Sequence, residues 1–166
     1  MNHAHRTVTK QRRQLRAKPN LKHIRTRSDD GTTWRYLEGW HVISEANRIF
    51  GFDAWTRETV DCCCVYTKRC GNRYEAVYTT RVRVLVRAGD IEVVREGSGV
   101  GQANGTNPGQ AHEFALKAAE TDATKRALVT FGNAFGLTLY AADPMRTSRS
   151  CRETNAPQIS VAEQDK

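Results

Sequence analysis

The 166-residue sequence lacks long apolar runs, and none approaches the roughly 20 residues of a membrane-spanning helix. It also lacks the apolar segment of a secretory signal peptide, which argues against secretion. With 39% hydrophobic and 27% charged residues, the composition fits neither a membrane protein nor a wholly disordered chain. We therefore expect a soluble protein with one core of ordinary size and flexible ends.

The sequence also lacks the usual signatures of metal and nucleotide sites. Its 5 cysteines show no paired zinc-ligand spacing, because three are consecutive and the other two stand alone. We interpret them as small apolar side chains in a reducing compartment: Cys62, Cys63, Cys64, Cys70 and Cys151. The glycine-rich stretch 97–109 contains no Gly-Lys-Ser/Thr and so gives no support for a Walker A phosphate loop. We expect no metal and no cofactor.

Catalytic constellations are equally scarce. A nuclease usually needs clustered carboxylates to hold a metal ion, and no acidic pair here repeats such a motif. His41 and His112 fall in predicted helices, and Ser44 has no evident base partner. The acidic residues that could be considered as metal ligands are Asp29, Asp30, Glu92, Glu96, Glu113 and Asp122. An enzyme acting on nucleic acid is therefore the weaker alternative, and we predict a protein that is not an enzyme.

Acidic residues are absent from the first 27 positions. The net charge is +8, from 26 basic against 18 acidic residues, and the remaining 139 positions carry 17 basic against all 18 acidic residues. Such a basic segment is typical of a flexible arm that binds nucleic acid, or of a tail that only aids solubility, and an arginine-rich start also resembles a mitochondrial presequence. The arm contains Arg6, Lys10, Arg12, Arg13, Arg16, Lys18, Lys22, Arg25 and Arg27.

Hydrophobic periodicity predicts an α+β fold. Apolar residues at three- and four-residue spacing predict a helix over 38–50, ended by Gly51. Alternating, β-branched segments predict strands over 55–67, 74–87 and 91–96, and hence an antiparallel meander. We expect residues 97–109 to be a flexible connection.

A long second helix is predicted over 110–135. Its apolar stripe is rich in alanine, which permits close approach to the sheet, and consists of Leu116, Ala119, Ala123, Ala127, Phe131 and Phe135. At 100° per residue, Lys125 lies opposite this stripe and Arg126 flanks it, so the pattern predicts an outward basic pair. In the middle strand, Arg81, Arg83 and Arg87 alternate with valines, which predicts a largely cationic outer face.

Two longer motifs resemble the Rad-fifty-two family of single-strand annealing proteins. The first is Tyr36-Leu37-Glu38-Gly39-Trp40-His41-Val42-Ile43, followed by Ala46-Asn47, Phe50-Gly51 and Trp55. The second is Ala118-Ala119-Glu120-Thr121-Asp122-Ala123-Thr124-Lys125-Arg126-Ala127-Leu128 with Phe131-Gly132-Asn133-Ala134-Phe135-Gly136. They occur in the correct order, with a meander between them, and the resemblance covers roughly residues 21–143.

This resemblance implies a β-β-β-α core, preceded by a short helix, that assembles into a homo-oligomeric ring with single-stranded DNA in an outer basic groove. It implies ATP-independent annealing of complementary strands in recombination and double-strand break repair. The inner basic positions correspond to Arg27, Lys125 and Arg126, with Tyr36 beside them, and Arg73 matches an outer DNA path. A passive single-strand coat without annealing activity remains open as an alternative.

The chain departs from the family pattern at two positions, where Val129 and Thr106 replace basic residues of the eukaryotic members. Arg25, Arg81, Arg83 or the arm are candidates to supply the missing phosphate contacts, and the arm could also capture double-stranded DNA. The long region by which eukaryotic members engage a recombinase and a single-strand-binding protein is missing. We therefore expect a compact, cytoplasmic bacterial or phage protein, or a nuclear or mitochondrial one if the source is eukaryotic.

The resulting organisation is a basic arm over 1–20, an annealing domain over 21–143 and a polar tail over 144–166. The expected ring also follows from apolar side chains that we predict to lie on the outer surface of the monomer: Leu37, Trp40, Ile49 and Phe50.

Overall fold

The computed structural model describes residues 3–29 and 32–141. The predicted tail over 144–166, Asp30 and Cys151 lie outside these residues. No helix within them is both long and apolar enough to cross a membrane. In chain order, the elements are α1 (His3–Arg16), a 3-10 turn (Leu21–His23), β1 (Ile24–Asp29), β2 (Thr32–Leu37), α2 (Gly39–Phe50), β3 (Trp55–Cys70), β4 (Arg73–Ala88), β5 (Ile91–Gly105), α3 (Pro108–Val129), a 3-10 turn (Asn133–Phe135) and α4 (Leu137–Ala141).

The predicted meander is confirmed as a three-stranded antiparallel sheet in the order β3-β4-β5, packed against α3 and preceded by α2. Its strands are longer than their hydrophobic segments suggest, since β3 and β4 continue pairing as far as Cys70 and Arg73. Both turns contain a glycine in the left-handed region, Gly71 with φ 62° and Gly89 with φ 67°. Glycine adopts this backbone conformation without steric cost, which allows the chain to reverse tightly.

The expectation of a flexible glycine-rich connection is wrong, because β5 runs through it to Gly105 and pairs with β4 throughout. The glycines alternate along the strand and face α3. A Cβ atom added at Gly99 would lie 2.6 Å from the carbonyl oxygen of Ala119 and closer still to the backbone of Ala123. The glycines are therefore needed for close packing of α3 against β5.

Helix α3 ends at Val129, earlier than predicted, and Phe135 belongs to the following 3-10 turn. Asn107 caps the start of the helix, because its side-chain Oδ1 accepts a hydrogen bond from the Gln110 backbone nitrogen at 2.9 Å. Leu116 is only half-buried, so it does not belong to the buried stripe. That stripe consists instead of alanines at every fourth position, namely Ala111, Ala115, Ala119, Ala123 and Ala127.

The main core lies where α2 and α3 meet the inner face of the sheet. Its largest fully buried side chains include Val82 and Val84 of β4 and Leu128 of α3. Leu37, Ile49 and Phe50 are buried in this core, so the expectation that they form an apolar outer surface is wrong. Trp40 is the exception, with 60% of its surface exposed.

Strands β1 and β2 form a separate antiparallel hairpin that the sequence reasoning did not predict. Ile24 and Leu37 are paired in this hairpin and share one face, which packs against the main core. The opposite face of the hairpin carries arginine and aromatic side chains, including several of the candidate site residues. The alternation in 24–28 and the Asp-Asp-Gly turn region are the signals that could have indicated it.

The basic arm is not a featureless flexible segment, because residues His3–Arg16 form helix α1. The prediction overlooked Leu15, which packs against the main core. The backbone of Leu15 also approaches Gly132 so closely that a Cβ atom there would lie 2.5 Å from the Leu15 carbonyl oxygen. One apolar anchor and the packing at Gly132 order a segment whose charge suggested a solvated tail.

Candidate nucleic-acid interface

The face of the β1–β2 hairpin opposite Ile24 and Leu37 carries two predicted DNA-binding arginines beside aromatic residues. In the antiparallel register, Arg25 lies opposite Tyr36 and Arg27 lies opposite Trp34. Directly opposed residues share a face, so these four side chains leave the hairpin on the same side. Both arginines are exposed, whereas both aromatic residues are half-buried.

Lys125 joins this group from helix α3. Its Nζ atom lies 5.3 Å from the centroid of the Tyr36 ring, within the range of a cation–π interaction. Burial lowers the pKa of Lys125, Asp122 opposes this shift and Arg126 adds to it. Lys125 is thus half-buried against the hairpin, and not fully outward as the helical projection predicts. A partly desolvated cation of this kind favours a negatively charged ligand.

Arg126 follows Lys125 but lies further towards solvent. Its Nε atom donates a hydrogen bond to Asp122 Oδ2 at 2.8 Å, one turn earlier on α3. The side chain of Arg126 is 59% exposed. Exposed ion pairs of this type contribute only about 0–1 kcal/mol, so a phosphate could replace Asp122 at little cost.

Glu38 is the acidic residue at the centre of the cluster. Its Oε2 atom lies 3.3 Å from Arg25 Nε and accepts a hydrogen bond from Trp40 Nε1 at 3.1 Å. Glu38 therefore connects the hairpin to the start of α2 and orients both partners. Arg25 is 53% exposed, and this pair is also weak enough for a phosphate to compete.

Arg73 lies far from this cluster, at the turn between β3 and β4, where it pairs with Cys70. Val84, which shares the main core with Ala123 and Ala127 of α3, lies eleven positions further along β4, or about 36 Å of strand. The nearest basic neighbours of Arg73 in the sheet are Lys68 and Arg69. The structure therefore separates Arg73 from Lys125, and the assignment of Arg73 to a second DNA path stays a prediction.

Arg81 and Arg83 lie on the outer face of the sheet, opposite the face that packs against α3. The Arg83 guanidinium contacts Glu96 at 2.8 Å and Glu58 at 3.7 Å, and Arg81 is paired in register with Asp61. The expectation of a largely cationic outer face is wrong, since neighbouring strands supply these carboxylates. DNA binding by Arg81 and Arg83 stays a prediction, but neither residue joins the cluster around Lys125.

Uncharged residues stand at the two positions where the eukaryotic family members have basic residues. Val129 is half-buried at the end of α3. Thr106 is exposed, and its hydroxyl donates to Gln110 Oε1 at 2.9 Å. Neither position therefore contributes a cation to the interface.

Arg57 of β3 is a cation near Lys125 that the sequence reasoning missed. It pairs in register with the buried Val84, and its Nη1 atom donates to Thr124 Oγ1 at 3.3 Å. Lys125 follows Thr124 in the chain. The sequence signal was that Arg57 shares a strand face with Trp55, which packs against the core. This signal identifies a neighbour of Lys125 only when the strand register is known.

The cysteines do not fill the core as expected. Cys62, Cys63, Cys64 and Cys70 are all exposed and free. They lie on β3, an edge strand of the sheet that α3 leaves largely uncovered. Within residues 3–29 and 32–141, no group of His, Cys, Asp or Glu residues is arranged to hold a metal ion.

The sequence is similar to a family of DNA repair proteins. Residues 7–157 match the family described as "Rad52/22 family double-strand break repair protein". The chain is 39% identical over 109 residues to the DNA repair and recombination protein RAD52 of Kluyveromyces lactis, covering 65% of this chain and 24% of that protein. The chain is also 38% identical over 109 residues to RAD52 of Saccharomyces cerevisiae, and this match covers 65% of this chain and 22% of that protein.

A more distant relative is the DNA repair and recombination protein rad22 of Schizosaccharomyces pombe, which is 32% identical over 113 residues, with 66% of this chain and 24% of that protein covered. The chain spans about a quarter of the length of these curated relatives. They come from eukaryotes, so the expectation of a bacterial or phage origin finds no support in them. Since the family match extends over most of the sequence, the chain belongs to the Rad52/22 family of double-strand break repair proteins.

Proposed function

We propose that this protein binds single-stranded DNA and anneals complementary strands without consuming ATP, as part of recombination and double-strand break repair. The observation that carries the proposal is the meeting of the β1–β2 hairpin with α3. There, Arg25, Arg27 and Tyr36 share one face, and Lys125 lies against the Tyr36 ring.

The chemistry of this cluster is suited to bind a single strand of any sequence. Lysine and arginine neutralise phosphates and release counterions without reading the bases, and the aromatic rings add contacts that every nucleotide can make. Arg25, Arg27, Lys125 and Arg126 would contribute up to four phosphate contacts per protomer. We expect the slope of log K against log salt to be about −3 per protomer for single strands. When the protein binds the strand through its phosphates, the bases remain free to pair.

The annealing assembly proposed here is a closed homo-oligomeric ring. Both outer strands of the sheet have an unpaired edge, and apolar side chains on them are exposed, with Val65 60% and Val100 61% accessible. Such edges and patches support association between copies through heterologous contacts. A ring would repeat the weak cluster and raise the overall affinity through effective concentration.

We propose a binding and annealing role with no catalytic step, because the cluster consists of cations, aromatic rings and two carboxylates that are already engaged, Glu38 by Arg25 and Trp40 and Asp122 by Arg126. Hydrolysis of a phosphodiester would need a metal site or an activated nucleophile. Binding of a recombinase or a single-strand-binding protein stays a prediction from the family resemblance.

The decisive experiment compares the wild type with the double variant Lys125→Ala/Arg126→Ala. Both changes favour helix, so α3 should remain folded, which circular dichroism can verify. We expect weaker binding of a labelled oligonucleotide, a salt slope smaller by about 1.4, and slower annealing of two complementary labelled strands. Unchanged binding by a folded double variant would overturn the interface.

The same assays separate annealing from passive coating. An annealing protein accelerates duplex formation at concentrations where it covers both strands, whereas a coat binds equally well but slows pairing. Light scattering over micromolar concentrations tests the ring, and a monomer throughout would contradict it.

A further inference from the structure

A cavity of about 350 Å³ lies beside the cluster, between the start of α2, strand β3 and helix α3. Its volume falls within the ~300–1,000 Å³ of typical small-ligand sites. Its walls are formed by Gly39, Trp40, Ile43, Arg57, Thr121, Thr124 and Lys125. The cavity thus combines two cations, two hydroxyl groups and an indole ring in one concave site.

The two cations of the cavity differ from most other basic residues of the interface. Among the residues that the structure describes, neither Arg57 nor Lys125 has a carboxylate within salt-bridge distance, whereas Arg25 and Arg126 are each paired with one. Arg57 is fixed instead by the neutral Thr124 hydroxyl, which donates its own proton to the Glu120 carbonyl oxygen at 2.7 Å. Two unneutralised cations that line one cavity favour an anionic group between them.

Trp40 supplies an aromatic surface at the rim of the same cavity. Its side chain is largely exposed, yet three neighbours restrict the ring. Glu38 accepts a hydrogen bond from its indole nitrogen, and the rings of His23 and His41 lie nearly perpendicular to it at 5.8 and 5.6 Å. An exposed aromatic ring that is already held in position can stack on a base with little further ordering.

We propose that this cavity is a subsite for one nucleotide of the bound strand, in which Arg57 and Lys125 contact the phosphate and Trp40 stacks on the base. The subsite deepens the proposed function, on which it rests. It assigns to Arg57, on β3, the phosphate contact that Val129 cannot make on α3. Each protomer would then hold one base against protein and leave its neighbours along the strand available for pairing.

The phosphate contact is tested by Arg57→Ala against the matched control Arg87→Ala. Arg87 lies on the outer face of the sheet, where it pairs with Glu92, and its replacement removes the same charge. We expect Arg57→Ala to weaken binding of a short oligothymidylate roughly tenfold and to reduce the salt slope by about 0.7, with little change in the control. Equal effects of the two variants would overturn the assignment of Arg57.

The stacking contact is tested at Trp40, one of 3 tryptophans in the chain. Trp40→Leu should weaken binding about tenfold, while Trp40→Phe should retain most of the affinity because it keeps an aromatic face. Binding should quench the fluorescence of the wild type, and Trp40→Phe should lose that quenching. Trp55→Phe serves as the control that retains it, since Trp55 packs against the main core and lies outside the cluster. Full quenching in Trp40→Phe, or full affinity in Trp40→Leu, would contradict stacking on Trp40.

Failure of the subsite is distinguishable from failure of the proposed function. If the wild type does not bind oligothymidylate, or if Lys125→Ala/Arg126→Ala binds normally, the interface itself is wrong. If that double variant is impaired while the Arg57 and Trp40 variants bind like the wild type, the interface stands and the nucleotide subsite is refuted.

Discussion

Replacing Gly99 by alanine should destabilise the fold by forcing α3 away from β5. The added methyl group would lie 2.6 Å from the carbonyl oxygen of Ala119, and that atom must recede by about 0.8 Å to reach the 3.4 Å at which ordinary contact begins. The obstacle is helix backbone, which cannot rotate away as a flexible side chain would. Gly97 and Gly101 approach the helix equally closely on either side, so a local adjustment is blocked.

The expected cost follows from two opposing effects. Overpacking of a well-packed core costs about 1–3 kcal/mol, and the rigid backbone contact places this site at the upper end. Removing a glycine from a strand recovers about 0.5–1 kcal/mol. We therefore expect a net loss of about 2 kcal/mol, which for a chain of this size corresponds to a fall in Tm of about 4–8 °C.

Urea and thermal unfolding at a fixed protomer concentration measure this loss, because any association would make stability depend on concentration. Ser98→Ala is the matched control, since Ser98 directly precedes Gly99 on β5, is exposed and faces away from α3. It should change the unfolding midpoint by little. If Gly99→Ala were as stable as the wild type, the account of the glycines as a packing surface would be refuted.

Two further predictions concern pH and the basic helix. Burial lowers the pKa of His41 from its ordinary value of 6.5, and the neighbouring His23 lowers it further. As the pH falls, His41 therefore binds a proton in the unfolded chain before it does so in the folded protein. The free energy of unfolding should consequently decrease as the pH drops below 6.5. Urea midpoints between about pH 8 and 5 should show a shallower fall in His41→Asn, and parallel curves would contradict this origin. Replacing Lys10, Arg12 and Arg13 of α1 by glutamine should lower the salt slope of DNA binding by up to about 2, whereas an unchanged slope would mean that α1 only aids solubility.

Much of the sheet and of the long helix could be predicted because their patterns are local. Alternation around Val82, Val84 and Val86 reflects the two faces of β4, and the inner positions are buried as expected. The ends of the elements were less predictable. The spacing of Phe131 and Phe135 predicts a helix that continues across Gly132, although the chain leaves the α-helix after Val129.

The errors at β5 and α1 have a common cause, since in both places a distant partner overrides the local composition. The glycines of β5 signal flexibility in isolation, but opposite the alanines of α3 they permit two backbones to approach closely. The charge of α1 signals a solvated tail, but Leu15 anchors the helix on the core. Neither partner is identifiable from the segment itself.

The proposed interface was predictable where the family resemblance assigns the residues, as at Arg27, Tyr36, Lys125 and Arg126. Arg57 lies between the two motifs and matches no assigned position. Its role depends on register, because a shift of one residue would turn its side chain to the outer face with Arg83. Sequence reasoning likewise placed Arg81 and Arg83 among the candidates without knowing that Glu58 and Glu96 face Arg83.

The packing of α3 and the chemistry of the interface depend on each other. The alanine stripe sets the distance between α3 and the sheet, and Lys125 extends from the same helix to Tyr36. The displacement of at least 0.8 Å expected for Gly99→Ala exceeds the tolerance of a positioned binding group, which is roughly 0.5 Å. Small residues on both sides of this contact therefore stabilise the core and also set the position of Lys125, which lies against Tyr36 and lines one cavity with Arg57.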